Sequence, residues 1–111
     1  MKTEQPVLIT SIPAAADFTN SKNIFIGFDG DTCGNGAKAL GVLNANSAQD
    51  EQAPITALGI ALVLSGAAVS LGDKLQANAS GKAITFASGE ANGYAFDAAT
   101  GADELIRVKL I

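Results

Sequence analysis

The chain has 111 residues, of which 48% are hydrophobic and 16% are charged, and its net charge is −4. This length supports one domain with a modest core, and the hydrophobic content excludes intrinsic disorder. The seven basic residues form no cluster, so the chain lacks the electrostatic features for binding nucleic acid or an anionic membrane. A soluble surface usually carries more charge, roughly 25% of residues, which indicates that a partner or another subunit covers part of this one.

Residues 1–22 are predicted to form an extended N-terminal arm and a linker. Residues 6–12 form an apolar segment that favours a strand, and Pro13 ends it. Asp17 and the polar residues after it favour turns over helix. The arm therefore precedes the domain proper, which we assign to residues 23–111.

Residues 23–111 consist of short apolar segments separated by glycine-rich and polar turns. The predicted strands are residues 23–28, 38–43, 55–64, 67–71, 74–77, 82–86, 92–96 and 105–111. No segment shows the period of an amphipathic helix. Short strands with regularly spaced turn signals predict an all-β single domain, a β-barrel or β-sandwich of short antiparallel strands.

Two strands allow more detailed predictions. Gly59 lies inside residues 55–64, which predicts a β-bulge or a close backbone approach. Alternation in the last strand turns its cationic side chains outward and its aliphatic side chains inward. The inward residues are Ile106, Val108 and Leu110.

A weak internal recurrence connects two polar loops. A strand that starts with glycine, a polar loop with an acidic pair and an apolar strand occur around Asp50-Glu51 and again around Asp103-Glu104. Every β protein repeats strand, loop and strand, so incidental recurrence is the favoured interpretation. The shared acidic pair supports the opposite interpretation, a true repeat.

The chain offers no catalytic or ligand-binding motif that withstands a chemical test. It has no histidine, so Ser-His-Asp and Cys-His systems cannot form, and Cys33, the only cysteine, has neither an activating base nor a disulfide partner. Residues 29–34 begin like a calcium loop, but Leu40 stands where its final glutamate is needed. Residues 34–39 match G-x-G-x-x-A, but no βαβ unit follows. We predict a non-enzyme with no catalytic residues, no metal and no cofactor.

Four motifs follow one another in a characteristic order in the second half of the chain. They are Gly72-Asp73-Lys74-Leu75, Gly81-Lys82-Ala83, residues 92–99 and residues 105–110. Their order and spacing resemble the capsid cement, or head-decoration, family of tailed bacteriophages. Leu40-Gly41-Val42 and Pro54-Ile55 fit the same pattern, so the resemblance covers residues 24–111. Asn92 departs from the pattern, because an aliphatic residue is more usual there.

The resemblance implies a structural protein of the virion, made in the host cytoplasm and bound to the outer surface of the capsid. Its partner would be the major capsid protein, with neither nucleic acid nor membrane involved. It would act as a homo-oligomer across junctions between capsid subunits, with a trimer favoured and a dimer open. Binding only the expanded lattice would stabilise that lattice against internal pressure by mass action.

The N-terminal arm is the candidate contact surface. Its apolar residues Val7, Leu8, Ile9 and Ile12 are predicted to add a strand to a capsid subunit or to a neighbouring copy. Alternatively, the arm completes its own barrel. The polar loops 44–52 and 97–103 are further candidate surfaces.

Two other classes of function stay open at this point. A small-ligand or enzyme-accessory β-barrel would use residues 27–36 as its binding loop and would need a buried concave pocket there. A cell-surface adhesion module would need an export signal, which this sequence barely offers.

Overall fold

Antiparallel β-strands form the whole framework of the computed structural model, which describes residues 3–111. The strands are β1 (Gln5–Pro13), β2 (Phe25–Ile26), β3 (Gly41–Leu43), β4 (Gln52–Leu64), β5 (Lys74–Ala77), β6 (Ala83–Thr85), β7 (Gly93–Ala95) and β8 (Leu105–Leu110). The described residues contain no helix, so none is available to cross a membrane. The prediction of an all-β domain is confirmed.

The strands form one sheet that curls into a nearly closed barrel. Its order is β2-β3-β4-β8-β7-β5-β6, and β1 pairs with the other edge of β4. Ile60 in β4 shows both pairings, since it lies opposite Gln5 on one side and Lys109 on the other. The barrel closes where the Phe25 N–H donates to the Gly81 carbonyl oxygen at 2.7 Å.

The predicted irregularity at Gly59 is confirmed as a close backbone approach. The register between β1 and β4 shifts on both sides of Leu8. Gly59 has a φ of +105°, and a Cβ atom there would lie 2.5 Å from the Gln5 carbonyl oxygen and 2.7 Å from the Val7 nitrogen. Only glycine allows β1 to lie this close to β4 in that conformation.

The apolar side chains form two clusters because β2, β3 and the first half of β4 are buried on both faces. Alternate residues point to opposite sides, so Val42 joins one cluster while its neighbour Leu43 joins the other. The larger cluster fills the barrel and contains the inward residues predicted for the last strand, Ile106, Val108 and Leu110.

Several predicted strands are shorter than expected or absent. Only Phe25–Ile26 pairs within residues 23–28, because Asn23 adopts a φ of +72° and the Gly27 N–H bonds to the Asp31 carbonyl in a turn. Residues 38–40 likewise lie outside β3. The prediction of a strand over residues 67–71 was wrong.

The segment 67–71 turns instead of extending. Only Val69 forms a bridge there, with Ala99. The Asp73 carboxylate accepts a hydrogen bond from the Ser70 N–H at 2.9 Å, which closes a turn just after that bridge.

The two acidic loops are equivalent in three dimensions. Asp50 and Asp103 both adopt left-handed backbone conformations, with φ of 69° and 65°. The glutamate after each one accepts a hydrogen bond from a backbone N–H in its own loop, Glu51 from Ala48 and Glu104 from Thr100. Two loops with the same unusual backbone conformation and a similar bond from a backbone N–H to the glutamate form a true structural repeat, the interpretation that the sequence left as second choice.

The repeat extends to the backbone around both loops. In each half, a residue after the first strand exchanges two backbone hydrogen bonds with the acidic pair. The residue four positions later exchanges two backbone hydrogen bonds with a residue at the start of the acidic loop. The matching pairs are Ala14 with Asp50-Glu51 and Ser65 with Asp103-Glu104, and then Phe18 with Ser47 and Val69 with Ala99. We call residues 5–56 the first unit and residues 57–110 the second unit; β4 contributes to both.

Candidate functional site

Exposed apolar side chains are concentrated where β1 lies along β4. Val7 is 78% exposed, and Leu8, Ile9 and Leu58 are each almost half exposed. Leu8 and Leu58 lie opposite each other across the two strands. We call these four residues the edge patch; they make up four of the nine large hydrophobic side chains that are exposed among residues 3–111.

The backbone of β1 is available along its outer side. β1 pairs with β4 alone, and no other described strand lies beside it. Residues 5–16 contain no charged side chain. Natural edge strands are usually protected by charges, prolines or bulges; β1 has a proline near each end and a register shift, but no charge.

The four residues predicted as the contact site do not all lie together. Val7, Leu8 and Ile9 are exposed, whereas Ile12 packs against the smaller apolar cluster and lies opposite Ala53. The described part of residues 1–22 packs on its own chain, since Ala14 and Phe18 are also buried in that cluster. Leu58 is the member of the edge patch that the sequence analysis missed, because only the register with β1 brings it there.

Three of the four carboxylates in the two acidic loops, those of Glu51, Asp103 and Glu104, make contacts within the fold. Beyond the glutamate bonds in each loop, Asp103 forms an ion pair with Lys82. These contacts stabilise the backbone conformation of the two loops.

The segment that resembles the start of a calcium loop forms a hydrogen-bonded turn. An Asp29 oxygen accepts from the Asp31 N–H at 3.0 Å, and an Asp31 oxygen accepts from the Thr32 N–H at 2.8 Å. Cys33 is 1% exposed and its thiol donates to the Ala37 carbonyl oxygen at 3.3 Å. Burial raises the pKa of the Cys33 thiol, so the thiol is protonated at neutral pH.

The predicted ligand-binding loop borders an open groove of about 350 Å³. The groove is lined by exposed side chains, among them Phe28, Asp29 and Lys38. The ligand-binding alternative required a buried concave pocket, and this groove gives it no support.

A second exposed surface was not predicted as a site. Tyr94 of β7 lies opposite Lys109 of β8 and Lys74 of β5, so the three side chains share the outward face. Phe96 and Arg107 join them, with the guanidinium 4.5 Å from the ring centre. We call these five residues the basic-aromatic face. Alternation in the last strand predicted Arg107 and Lys109 outward, but only the strand order places aromatic rings beside them.

Comparison with known proteins agrees with this scaffold. No curated protein matches the chain. The family model described as phage cement protein matches residues 1–110, nearly the full length. A match over nearly the whole chain shows that this protein belongs to the phage cement protein family.

Proposed function

We propose that this cement protein binds the outer surface of the expanded phage head, and that the edge patch is its contact with the major capsid protein. The cementing role follows from its family. The observation that supports the contact is the uncharged outer edge of β1 with exposed Val7, Leu8 and Ile9.

An edge strand with free backbone groups is a template for another strand. A capsid segment that pairs with β1 would satisfy the outward N–H and C=O groups of β1, and the apolar side chains would give the pairing its specificity. Burying one exposed Val or Leu side chain fully contributes about 1.5–3 kcal/mol. Leu8, Ile9 and Leu58 are already about half buried, so each gains only part of that amount on docking, and Val7 gains most of it.

Selective binding explains how such contacts strengthen a shell. A ligand that binds the expanded lattice and not its alternatives stabilises that lattice by an amount that grows with its concentration relative to Kd. A head presents many equivalent sites, so modest contributions at each site accumulate. The protein acts as a homo-oligomer, with three copies favoured over two, and the sparse charge of its surface supports this assignment.

Val7→Glu tests the proposed contact. Val7 is 78% exposed, so the substitution leaves the core intact but places a charge in the middle of the edge patch. Leu71→Glu is the matched control, because Leu71 is 69% exposed and lies in the turn between Val69 and β5. Co-sedimentation with expanded heads that lack the cement protein measures binding, and urea unfolding checks that both variants fold.

We expect Val7→Glu to weaken head binding at least tenfold while Leu71→Glu binds like the wild type. Equal binding by a folded Val7→Glu variant would exclude the edge patch as the contact. Failure of the wild-type protein to bind any expanded head would overturn the proposed function itself.

A further inference from the structure

The basic-aromatic face holds much of the positive charge of this acidic protein. Three of the six basic residues among residues 3–111 lie there, namely Lys74, Arg107 and Lys109. Arg107 is paired with Asp97, through bonds of 2.9 Å to both carboxylate oxygens. Within the described chain, neither Lys74 nor Lys109 has a carboxylate partner. The Lys74 ammonium lies 4.6 Å from the centre of the Phe86 ring. The face thus presents two ammonium groups without carboxylate partners beside exposed aromatic rings.

The structural repeat shows that this position of the fold is buried in the other half. Val42 pairs with Thr56 in the first unit as Tyr94 pairs with Lys109 in the second. Val42 and Thr56 are only 2% and 1% exposed, since Val42 packs in the cluster that contains the interior of the second unit. Tyr94 is 40% exposed. The second unit therefore helps to bury this position in the first unit, whereas the equivalent position in the second unit stays exposed.

The first unit carries a segment that complements this face. Phe28 is 66% exposed at the tip of the turn after β2, and the exposed Asp29 and Asp31 lie beside it. Each carboxylate accepts one backbone hydrogen bond, which orients it and leaves lone pairs for further donors. We call Phe28, Asp29 and Asp31 the acidic-aromatic loop.

Both units carry a net negative charge, so attraction between copies has to come from the local charges of the loop and the face. The first unit has five acidic and two basic residues, a net charge of −3, whereas the second has five acidic and four basic residues, a net charge of −1. The loop has an aromatic ring followed by two exposed carboxylates, and the face has Tyr94 between the opposing Lys74 and Lys109. The two surfaces match through ring packing and opposite charge.

We infer that the acidic-aromatic loop of one copy docks on the basic-aromatic face of a second copy. This inference deepens the homo-oligomer in the proposed function and rests on it. The loop and the face are different surfaces of one chain, so the contact is head-to-tail, and it forms a ring when the rotation closes. The edge patch lies outside this contact and stays available to the capsid.

Charge exchange between the two surfaces tests the inference. One variant combines Lys74→Glu with Lys109→Glu, a second combines Asp29→Lys with Asp31→Lys, and a third carries all four substitutions. Sedimentation equilibrium of the full chain measures the association constant, and circular dichroism checks folding. Lys22→Glu is the control, since Lys22 is an exposed lysine outside both surfaces.

We expect each two-substitution variant to weaken association at least tenfold, the four-substitution variant to recover it, and the control to match the wild type. Phe28→Ser should weaken association without changing its dependence on salt. A monomeric wild type, or two-substitution variants that keep the wild-type mass, would overturn the inference. A four-substitution variant that folds but stays dissociated would also overturn it.

The same measurements separate this inference from the proposed function. If Val7→Glu abolishes the oligomer while the charge variants keep it, then copies meet at the edge patch and the inference is wrong. If head binding fails for a wild type whose association follows the charge pattern, the proposed function fails and the inference stands.

Discussion

Asn92 and Ala39 are joined by a buried hydrogen bond in which the Ala39 N–H donates to the Asn92 side-chain oxygen at 2.9 Å. The Asn92 amide nitrogen donates to the Ala37 carbonyl oxygen at 3.1 Å, and the residue is 3% exposed. One amide therefore satisfies two backbone groups of the segment before β3. These two bonds account for a polar side chain at this buried position.

Asn92→Leu should destabilise the protein by about 1–3 kcal/mol, because it leaves the buried Ala39 N–H without a partner, whereas the Ala37 carbonyl oxygen still accepts from the Cys33 thiol. Urea unfolding at neutral pH measures the change, with an unchanged m value as the sign that the native state stays compact. Asn20→Leu is the control, since Asn20 is exposed, and it should change stability by less than about 0.5 kcal/mol. A similarly small effect for Asn92→Leu would show that these bonds contribute little.

Gly59→Ala should cost more than Gly72→Ala, although both glycines have a positive φ. Gly72 has a φ of +86° and open space around its Cα, so alanine there pays only for the backbone conformation, about 1–2 kcal/mol. Alanine at position 59 would also overlap the backbone of β1. We expect faster hydrogen exchange at the β1 amides in Gly59→Ala alone; equal exchange in both variants would contradict the close approach.

Thr56→Val should stabilise the protein by about 1 kcal/mol. Thr56 is 1% exposed, and no protein group among the described residues bonds to its hydroxyl. Valine has nearly the same shape and removes the cost of burying that hydroxyl. Thermal and urea unfolding measure the gain, with Thr19→Val on the exposed surface as the control. A loss of stability would show that the hydroxyl has a partner in solution.

Cys33 should make stability fall at alkaline pH. Burial raises the pKa of its thiol above the ordinary value of 9.0, so the folded state holds the proton more tightly than the unfolded state. This contribution is complete below pH 9 and is lost as the pH rises through the folded-state pKa. The unfolding free energy is measured at about pH 8 and about pH 10. Its decrease between these two values should be larger for the wild type than for Cys33→Ala. Equal decreases would contradict the raised pKa.

The family and the class of fold could be read from local features of the chain. Alternation of apolar residues determines which way side chains point from a strand, as it did for Ile106, Val108 and Leu110. Turn residues act over four positions or fewer, and so the turn at residues 78–81 formed as predicted, with Gly81 at a φ of +76°. The absence of helix could also be predicted, since no segment spaces its apolar residues as an amphipathic helix does.

Strand lengths and the exposure of individual apolar residues depend on pairing between distant parts of the chain. β2 has only two residues because its length depends on its partners: Phe25 and Ile26 pair with Val42 and Gly41, and the Gly27 N–H then bonds to the Asp31 carbonyl. Ile12 and Val7 look alike in sequence, yet one packs on the smaller cluster and the other faces solvent, because the register shift around Leu8 comes between them. Local patterns hold no information about such contacts, which join residues as far apart as Gln5 and Ile60.

An all-β chain of the cement family could be predicted from the sequence alone, because side-chain period, turn residues and the order of short motifs are local properties. Only the tertiary structure decided which apolar residues stay exposed, and that Tyr94 and Phe96 stand beside Lys74, Arg107 and Lys109. The physical reason is that a surface is assembled from several strands, and its composition depends on their order and register.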